Sequence, residues 1–366
     1  MSAVRQFVPR AIRHAVSAQL ARVRAARLER QLATLASGSH AIVAGPWLGE
    51  VGFELLYWAP FLAWFSERFG VAPERLHVVS RGGVESWYQP YAGGYHEILS
   101  SLSPATFHAL HEQRLATLGE QKQRQVLAFE HDLLRTLVGD VRNRVMLHPS
   151  TMYELYKTYW WGHVGVEWVH ERARYRRLPV PAAAVPLPSG AYTAVKFYFN
   201  ECFPPTETNR AFVRRRIEQL VARGPVVSLT TGLRLDDHGD CPVEALGVQS
   251  LPHDLPPADN LRVQNAIVAG AAAFVGTYGG FSYLAPFHGV PATAYYSNAG
   301  GFSMSHLTMA RSALTRLHGE ALLDVRAVTE VSTGHGDTET RKLGMPTETA
   351  NPDQDFRLKP EATPTR

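Results

Sequence analysis

The segment from Ala273 to Ser297 constrains the fold of this 366-residue chain more than any other. Its sequence, AFVGTYGGFSYLAPFHGVPATAYYS, predicts a strand that ends in a glycine turn, an apolar helix over Phe281–His288 and a second strand over Pro291–Tyr296. Glycine lets a ligand approach the backbone closely, and the helix that follows directs unpaired N–H groups and its positive dipole end at the turn. The segment therefore predicts an α/β fold that holds a phosphorylated ligand.

A similar succession of elements opens the first half of the chain. The strand His40–Ala44 runs into the loop GPWLGEVG at residues 45–52, followed by an apolar helix over Phe53–Phe69 and the strand Leu76–Ser80. These elements form a βαβ unit, for which a parallel sheet is the default. The proline-rich run PVPAAAVPLP at residues 179–188 suits a linker. We therefore predict two Rossmann-like domains that face each other across a cleft.

The predicted boundaries follow these patterns, and the chain length suits two domains. We assign residues 1–37 to a basic amphipathic helix, 38–180 to the first domain, 181–190 to the linker, 191–330 to the second domain and 331–366 to a polar tail. The tail lacks apolar periodicity, so we expect it to be disordered. In the second domain we predict the strand Tyr192–Phe199, the helix Glu207–Ala222, the strand Pro225–Thr230 and the helix Asn260–Ala272.

The N-terminal segment is basic, with seven arginines and a single acid, Glu29, among its first thirty residues. Apolar side chains recur there at three- and four-residue steps: Val8, Ile12, Val16, Leu20 and Val23. Such a helix either lies on an anionic membrane or packs on its own domain with its arginines in water. It lacks the continuous apolar run of a signal peptide, and the two cysteines form no CxxC pair. We expect a cytoplasmic protein, with membrane association through this helix left open.

Two segments resemble a known family. The loop Gly45–Gly52 resembles the glycine-rich, acid-bearing acceptor loop after the first strand of GT-B glycosyltransferases, in particular heptosyltransferase-like ones. Phe274–Ser297 resembles their donor element, in which a small-residue turn holds the diphosphate of a nucleotide sugar. The resemblance covers residues 40–330, although this loop is longer and carries Glu in place of Asp. It implies a glycosyltransferase that moves a sugar from a nucleotide-activated donor to a glycan or lipid-linked acceptor.

Sugar transfer needs a base for the acceptor hydroxyl. Glu50 lies in a tight loop at a strand end and is the favoured base, and Glu54, one helical turn on, is its rival. The alternative makes Glu50 an ordinary acid in a first helical turn, where it suits the dipole. The acceptor side would be formed by Gly49, Gly52 and Arg81, although arginines at strand ends are commonly only solvated.

Departure of the donor's diphosphate calls for positive or dipolar groups. The turn offers backbone and hydroxyl donors, unless its glycines serve packing alone. Lys196 lies inside an apolar strand, where a buried charge needs a partner, and an anionic ligand could be that partner. The alternative is that the strand lies at a sheet edge and the lysine reaches solvent. The predicted donor-binding residues are Lys196, Asn200, Thr230, Thr231, Gly232, Gly276, Thr277, Tyr278, Gly279, Gly280 and Ser282.

We expect neither a metal nor another cofactor. The cluster Asp236–Cys241 is typical of turn chemistry, and the only Asp-x-Asp, at Asp353 and Asp355, falls in the tail. Residues 273–297 contain no acid, whereas retaining GT-B enzymes usually carry a Glu-x7-Glu pair near this turn, so an inverting displacement is favoured. The aromatic run Tyr153–Trp168 suits a glycan surface and a helix core equally well.

Other functional classes fit the sequence less well. The loop at residues 45–52 is not GxGxxG, which disfavours a dinucleotide oxidoreductase, and the chain has no GxxxxGK[ST] motif of a P-loop enzyme. The arginine excess lies in the N-terminal helix rather than on the domains, which argues against nucleic-acid binding. The remaining rival is a glycosyltransferase-like protein that binds a nucleotide or glycan without catalysis.

Overall fold

The computed structural model describes residues 10–328 except 140, 183, 184, 187, 234, 236, 237, 244, 245 and 253, with the backbone alone for residues 10–15. Within this part of the chain there are two parallel sheets, each covered by helices, which confirms the predicted α/β fold with two Rossmann-like halves. The predicted tail at residues 331–366 lies outside the described residues. The structure places the two sheets on either side of a cleft.

The first sheet has four parallel strands in the order β3-β2-β1-β4. Their bounds are β1 Ala41–Ala44, β2 Leu76–Ser80, β3 Gly94–Glu97 and β4 Arg144–Leu147. The two central strands, β1 and β2, are apolar runs that become largely buried, and the sequence pattern predicted both. It missed β3, whose residues GYHE are all half-buried, because a polar strand at the edge of a sheet lacks an apolar signature.

The helix after β1 begins as α2 Val51–Phe53, widens into a π-helical turn at Glu54–Trp58 and continues as α3 Ala59–Phe69. It ends at Gly70, whose φ of 62° is the left-handed conformation that glycine adopts most readily. The remaining helices of this half are α4 Pro104–Leu118, α5 Ala128–Leu137, α6 Ser150–Trp160 and α7 Glu167–His170. Most aromatic residues of α6 are buried, so this part of the aromatic run serves the core.

The second sheet has five parallel strands in the order β11-β10-β9-β5-β7. Its strands are β5 Thr193–Lys196, β7 Val226–Ser228, β9 Ala273–Thr277, β10 Ala292–Tyr296 and β11 Leu323–Ala327. The predicted strand Tyr192–Phe199 is split, because Tyr198–Phe199 forms a separate strand, β6, that pairs antiparallel with β8 Gly239–Asp240. Strand β5 lies between β9 and β7, so the edge position considered for Lys196 is wrong.

Four helices cover the second sheet: α8 Glu207–Val221, α9 Asn260–Gly270, α10 Gly280–Phe287 and α11 Met304–His318. Helix α11, which the sequence pattern did not predict, also joins the two halves. The Tyr159 hydroxyl donates to Ser305 O at 2.6 Å, and His306 Nδ1 lies 2.7 Å from the Tyr57 hydroxyl. Apolar packing therefore continues from one half into the other.

Helix α1 Arg10–Ser37 packs against α3 and α6 through one face, whose buried residues are Ala21, Ala25, Leu32 and Ala36. At 100° per residue, the predicted apolar stripe lies on the opposite face. Val16, Leu20 and Val23 are accordingly 53%, 52% and 57% exposed. Val8 lies outside the described residues. The helix thus packs on its own domain and also leaves an apolar stripe uncovered.

Candidate functional site

The two glycine turns predicted from the sequence meet at the cleft. A Cβ atom on Gly52 would lie 2.8 Å from the Gly280 Cα, and one on Gly280 would lie 2.6 Å from the Gly52 nitrogen. Because such distances exclude any side chain, both positions require glycine for close approach. Helices α2 and α10 therefore begin side by side, each at the carboxyl edge of its own sheet, where ligands of α/β folds bind.

The cleft has a volume of about 690 Å³, including space open to solvent. Both halves contribute to its wall. The lining residues are Glu50, Val51, Gly52, Arg81, Lys196, Tyr198, Thr231, Leu233, Leu235, His238, Asp240, Asn260, Leu261, Gln264, Gly280 and Phe281. Of the predicted site residues, the cleft brings together Glu50, Gly52, Arg81, Lys196, Thr231 and Gly280.

Glu50 is half-buried at the N-cap of α2, where its side chain makes no capping hydrogen bond. No hydrogen bond or ion pair of its carboxylate appears in the described part of the chain. It also lines a second cavity, of about 540 Å³, which shares Glu50, Gly52 and Gly280 with the cleft. Its place at the start of α2 agrees with the alternative in which an ordinary acid suits the helix dipole, and Glu50 is also one of the residues that line both cavities.

Glu54 lies in a different environment, which does not suit the role of rival base that we considered for it. It is fully buried, it lines neither the cleft nor the second cavity, and it accepts hydrogen bonds from Ser80 and, at 2.6 Å, from Tyr88. Arg81 Nη1 lies 3.0 Å from its Oε2. Burial raises the pKa of Glu54, against the opposing Arg81 charge and these hydrogen bonds. The carboxylate has no route to an acceptor hydroxyl.

Arg81 connects this buried group to the loop. Its Nη2 donates to Gly49 O at 2.5 Å, and the side chain is 4% exposed where it reaches the cleft wall. Arg81 thus fixes the loop residue that precedes Glu50 instead of being merely solvated. Gly49, predicted on the acceptor side, contributes its carbonyl to this contact and does not line the cleft.

A second buried network holds the other side of the loop. Gln123 Oε1 accepts from Leu48 N at 2.8 Å, and its Nε2 donates to Pro46 O at 2.8 Å and to Glu130 Oε1 at 2.7 Å. Burial would raise the pKa of Glu130, but hydrogen bonds and the charges of His148 and Arg114 outweigh it and lower the pKa. The backbone before Glu50 is therefore held by a network of buried polar groups.

The start of α10 is shaped by its own residues. Ser282 Oγ donates to Gly279 O at 2.7 Å and accepts from Gly279 N at 3.2 Å, so its hydroxyl is engaged in the cap. The N–H groups of Gly280 and Phe281, in the first turn, have no intrahelical acceptor. Backbone groups, not the predicted Ser282 hydroxyl, are thus the donors that α10 presents to the cleft.

Three other predicted donor residues serve the fold. Thr277 Oγ1 donates to Tyr198 O at 2.8 Å and accepts from Tyr198 N at 3.1 Å, which attaches β6 to β9. A Cβ on Gly276 would lie 2.2 Å from Lys196 O, so glycine is required for strand packing. The Tyr278 hydroxyl is buried against Tyr283. None of these side chains lines the cleft.

Lys196 points from the end of β5 into the cleft wall. Its Nζ lies 2.8 Å from Asp240 Oδ1 and donates to Leu229 O at 3.4 Å. The ammonium group has three donors, so within the described residues these two contacts leave one for a ligand. Lys196, for which an anionic ligand was one predicted partner, thus forms an ion pair with Asp240.

The other predicted donor residues are spread around these cavities. Asn200 lines the second cavity, where its Oδ1 accepts from Phe203 N at 2.8 Å and closes a turn. Thr231 reaches the cleft, Thr230 N donates to Ser228 Oγ at 3.2 Å, and Gly232 is exposed with a φ of 71°. Asn200 thus belongs to the second cavity and Thr230 to the β7 end.

The second cavity is more aromatic than the cleft. Its residues are Glu50, Gly52, Phe53, Leu56, Tyr57, Asn200, Cys202, Tyr278, Gly279, Gly280, Tyr283, Gly301, Ser303 and His306. Burial, with the nearby Lys122 charge, lowers the pKa of His306 to about 3. His306 is therefore neutral at physiological pH and hydrogen-bonds to Tyr57 in that form. Flat apolar rings with a few polar groups suit a sugar ring.

Sequence reasoning missed two cleft residues on α9, Asn260 and Gln264. Gln264 Nε2 donates to Asn260 Oδ1 at 2.6 Å, and the two side chains are 1% and 5% exposed respectively. Their four-residue spacing was a usable signal, because amides one helical turn apart pair on one helix face. Nothing in the sequence, however, distinguished that face from a solvated one.

Two further features concern the described residues as a whole. Among them there is no cluster of three or more His, Cys, Asp or Glu side chains able to hold a metal ion. Asp236 and Asp237 of the predicted turn lie outside the described residues. No helix between residues 10 and 328, as far as the structure describes them, is long and apolar enough to cross a membrane.

No protein-family model and no curated protein sequence matches this chain. Solved structures show similarity at low identity. The ADP-heptose LPS heptosyltransferase II of E. coli is 14% identical, over 81% of this chain and 92% of that one, with a TM-score of 0.39. A family 9 glycosyl transferase from Veillonella parvula is 12% identical, over 80% and 87%, with a TM-score of 0.39. The Streptomyces nogalater glycosyltransferase SnogD is 12% identical, over 78% and 85%, with a TM-score of 0.37.

Proposed function

We propose that this chain is a glycosyltransferase that moves a sugar from a nucleotide-activated donor to a glycan or lipid-linked acceptor. The observation that carries the proposal is the position of Glu50. Its carboxylate makes no capping bond, lies next to the Gly52–Gly280 contact and borders both cavities. A general base must lie within hydrogen-bond reach of the acceptor hydroxyl while that hydroxyl faces the reacting carbon, and a residue that borders both cavities suits that role.

The donor's diphosphate is assigned to the cleft. Gly280 and Phe281, whose N–H groups have no intrahelical acceptor, line the cleft, and the helix dipole adds partial positive charge at this end. The remaining donor of Lys196 and the Arg81 guanidinium supply further hydrogen bonds. These groups offset the charge that develops on the leaving diphosphate, so the proposed reaction needs no metal ion.

The acceptor is assigned to the second cavity, whose rings suit a sugar face. In the proposed step, the Glu50 carboxylate takes the proton from an acceptor hydroxyl. The hydroxyl oxygen then bonds to the anomeric carbon while the bond to the diphosphate breaks. Because residues 273–297 carry no acid that could form a covalent intermediate at the donor turn, a single displacement with inversion is the favoured course.

We also propose that α1 contacts an anionic membrane. Its uncovered stripe of Val16, Leu20 and Val23 is flanked by exposed arginines: Arg22, Arg24, Arg27 and Arg30. An apolar stripe between cations is typical of helices that lie in a membrane interface. This position would bring the cleft to a lipid-linked acceptor.

A thermal-shift screen against UDP, GDP, ADP, CMP and dTDP tests the donor site. We expect one nucleotide to raise the melting temperature, since a ligand at one hundred times its Kd stabilises by about 2.7 kcal/mol. Lys196→Met should reduce that shift, whereas Lys157→Met, at a half-exposed lysine outside the cleft, should leave it unchanged. Absence of any shift in the wild type would contradict the donor assignment, and a shift without turnover would favour the binding-only alternative.

A further inference from the structure

The amide of Gln264 is incompletely satisfied in the cleft wall. Its Nε2 donates to Asn260, but its Oε1 is buried and has no hydrogen-bond partner among the described residues. Several other buried polar atoms in the described chain lack partners, yet Gln264 alone among them also lines the cleft. A buried amide oxygen without a partner is destabilising, typically by more than a made bond contributes.

Contacts with the loop after β2 fix the position of the helix that carries this amide. Arg262 N donates to Gly82 O at 2.8 Å, so the first turn of α9 is attached to the loop after β2. A Cβ on Gly82 would lie 2.9 Å from Leu261 Cγ, which shows how closely the two halves pack here. Gln264 therefore lies on a fixed element at the boundary between the halves, near Arg81.

We infer that Gln264 binds a hydroxyl group of a sugar ring in the cleft and thereby determines which ligand fits. A hydroxyl both donates and accepts, so it can donate to the buried Oε1 and still accept from a neighbouring donor. A phosphate oxygen only accepts and leaves an amide oxygen unpaired. The inference rests on the proposed function for its ligand, since ribose and a transferred sugar both carry such hydroxyls.

The test measures dissociation constants of wild type, Gln264→Met and Gln264→Ala. The probes are a nucleoside diphosphate, its 2′-deoxy and 3′-deoxy analogues and the matching nucleotide sugar, with free ribose and hexoses compared by thermal shift. We expect both variants to bind the nucleotide sugar about 5- to 30-fold more weakly than the wild type does. Asn265→Leu is the matched control, because Asn265 is a buried amide of the same helix, also with an unpartnered atom, that does not line the cleft.

The probes distinguish the two hydroxyl sources. If Gln264 binds the ribose, the variants bind the nucleoside diphosphate itself more weakly than the wild type does. The deoxy analogue that lacks the contacted hydroxyl then shows no further loss of affinity in the variants. If it binds the transferred sugar, the diphosphate binds equally well to all proteins and only the nucleotide sugar loses affinity. Circular dichroism and melting of the free proteins verify that each variant folds.

One result would overturn the inference outright, and a second would do so under a stated condition. Equal affinity of wild type and both variants for every nucleotide and nucleotide sugar would mean that Gln264 contacts no ligand, for example because a water satisfies it, while leaving the proposed function intact. If the wild type binds no nucleotide, the proposed function fails. The inference then stands only if free sugars stabilise the wild type and not the variants, and it falls otherwise.

Discussion

Glu50 and Glu54 lie four positions apart on one helix, yet their surroundings differ completely. Glu50 is half-buried beside two cavities, whereas Glu54 is sealed in the core with Ser80, Tyr88 and Arg81 around it. Spacing alone could not separate them, because both follow the same strand and both precede the apolar part of the helix. The distinction depends on β2 and the turn after it, which supply the partners of Glu54.

Glu54→Gln tests the buried ion pair. Removing one partner leaves the Arg81 charge buried, so we expect a loss of about 3–5 kcal/mol in the free energy of unfolding. Urea denaturation measures the loss. Glu67→Gln is the matched control, since the Glu67–Arg174 pair is largely exposed and such pairs contribute about 0–1 kcal/mol. A loss at Glu54 no larger than at Glu67 would contradict the structural role.

His306 predicts a specific pH dependence of stability. Its folded-state pKa, about 3, lies below the usual 6.5, so the unfolded state binds the proton more readily. The free energy of unfolding is therefore highest above pH 6.5 as far as this histidine is concerned. It decreases as the pH falls toward 3, by about 1.4 kcal/mol per pH unit. His306→Gln keeps a partner for Tyr57 and should reduce the slope between pH 6.5 and 5 by about one proton.

Denaturation midpoints across this pH range measure the effect. His131→Gln is the control, because His131 is exposed and its replacement should leave the slope as in the wild type. An unchanged slope in the His306 variant would show that this histidine is not protonated on unfolding as we infer.

At the scale of elements, the predictable parts are the central strands and the glycine turns. Apolar runs between turn residues identified β1, β2 and β9, and the glycines placed α2 and α10 at the cleft. Strands β3 and β11 were missed because they lie at sheet edges and carry polar residues. Helix α11 was missed although Leu307, Ala310 and Leu314 recur at helical spacing and are buried.

Gly52→Ala tests the contact between helix starts. The added Cβ would lie 2.8 Å from Gly280 Cα, which forces the two turns apart. We expect nucleotide affinity to fall about tenfold or more, because the α10 donors move relative to the first half. Gly224→Ala is the control, since a Cβ there meets nothing within 4 Å. Isothermal titration measures both, and equal affinities would contradict the assigned geometry.

At the scale of the whole molecule, the sequence predicted two halves and a cleft but not the close contact of the halves. Long-range packing decides that contact: α11 reaches Tyr57 and Tyr159, and α9 reaches Gly82. The cleft amides on α9 escaped prediction for the same reason, since only the assembled fold shows which face of α9 they line. The exposed side of α1 likewise became evident only when its alanine face was seen to pack.

The membrane proposal is testable with the full chain. Replacing Val16, Leu20 and Val23 by Asp should abolish sedimentation with vesicles of anionic phosphatidylglycerol, because it removes apolar contact and offsets the arginine charge. Leu115→Asp is the control, at an exposed leucine of α4. Wild-type protein should not sediment with neutral phosphatidylcholine vesicles. Equal sedimentation of wild type and triple variant would contradict the role of the stripe.

The turnover of Glu50→Gln, with the donor nucleotide sugar found by the screen, tests the proposed base. Gln keeps the size of the side chain but cannot accept the proton, so kcat should fall about 100-fold or more while nucleotide affinity stays within about twofold. Glu154→Gln, at a partly exposed acid of α6 outside both cavities, should keep wild-type turnover. A Glu50→Gln protein with wild-type kcat would show that this carboxylate is not the base.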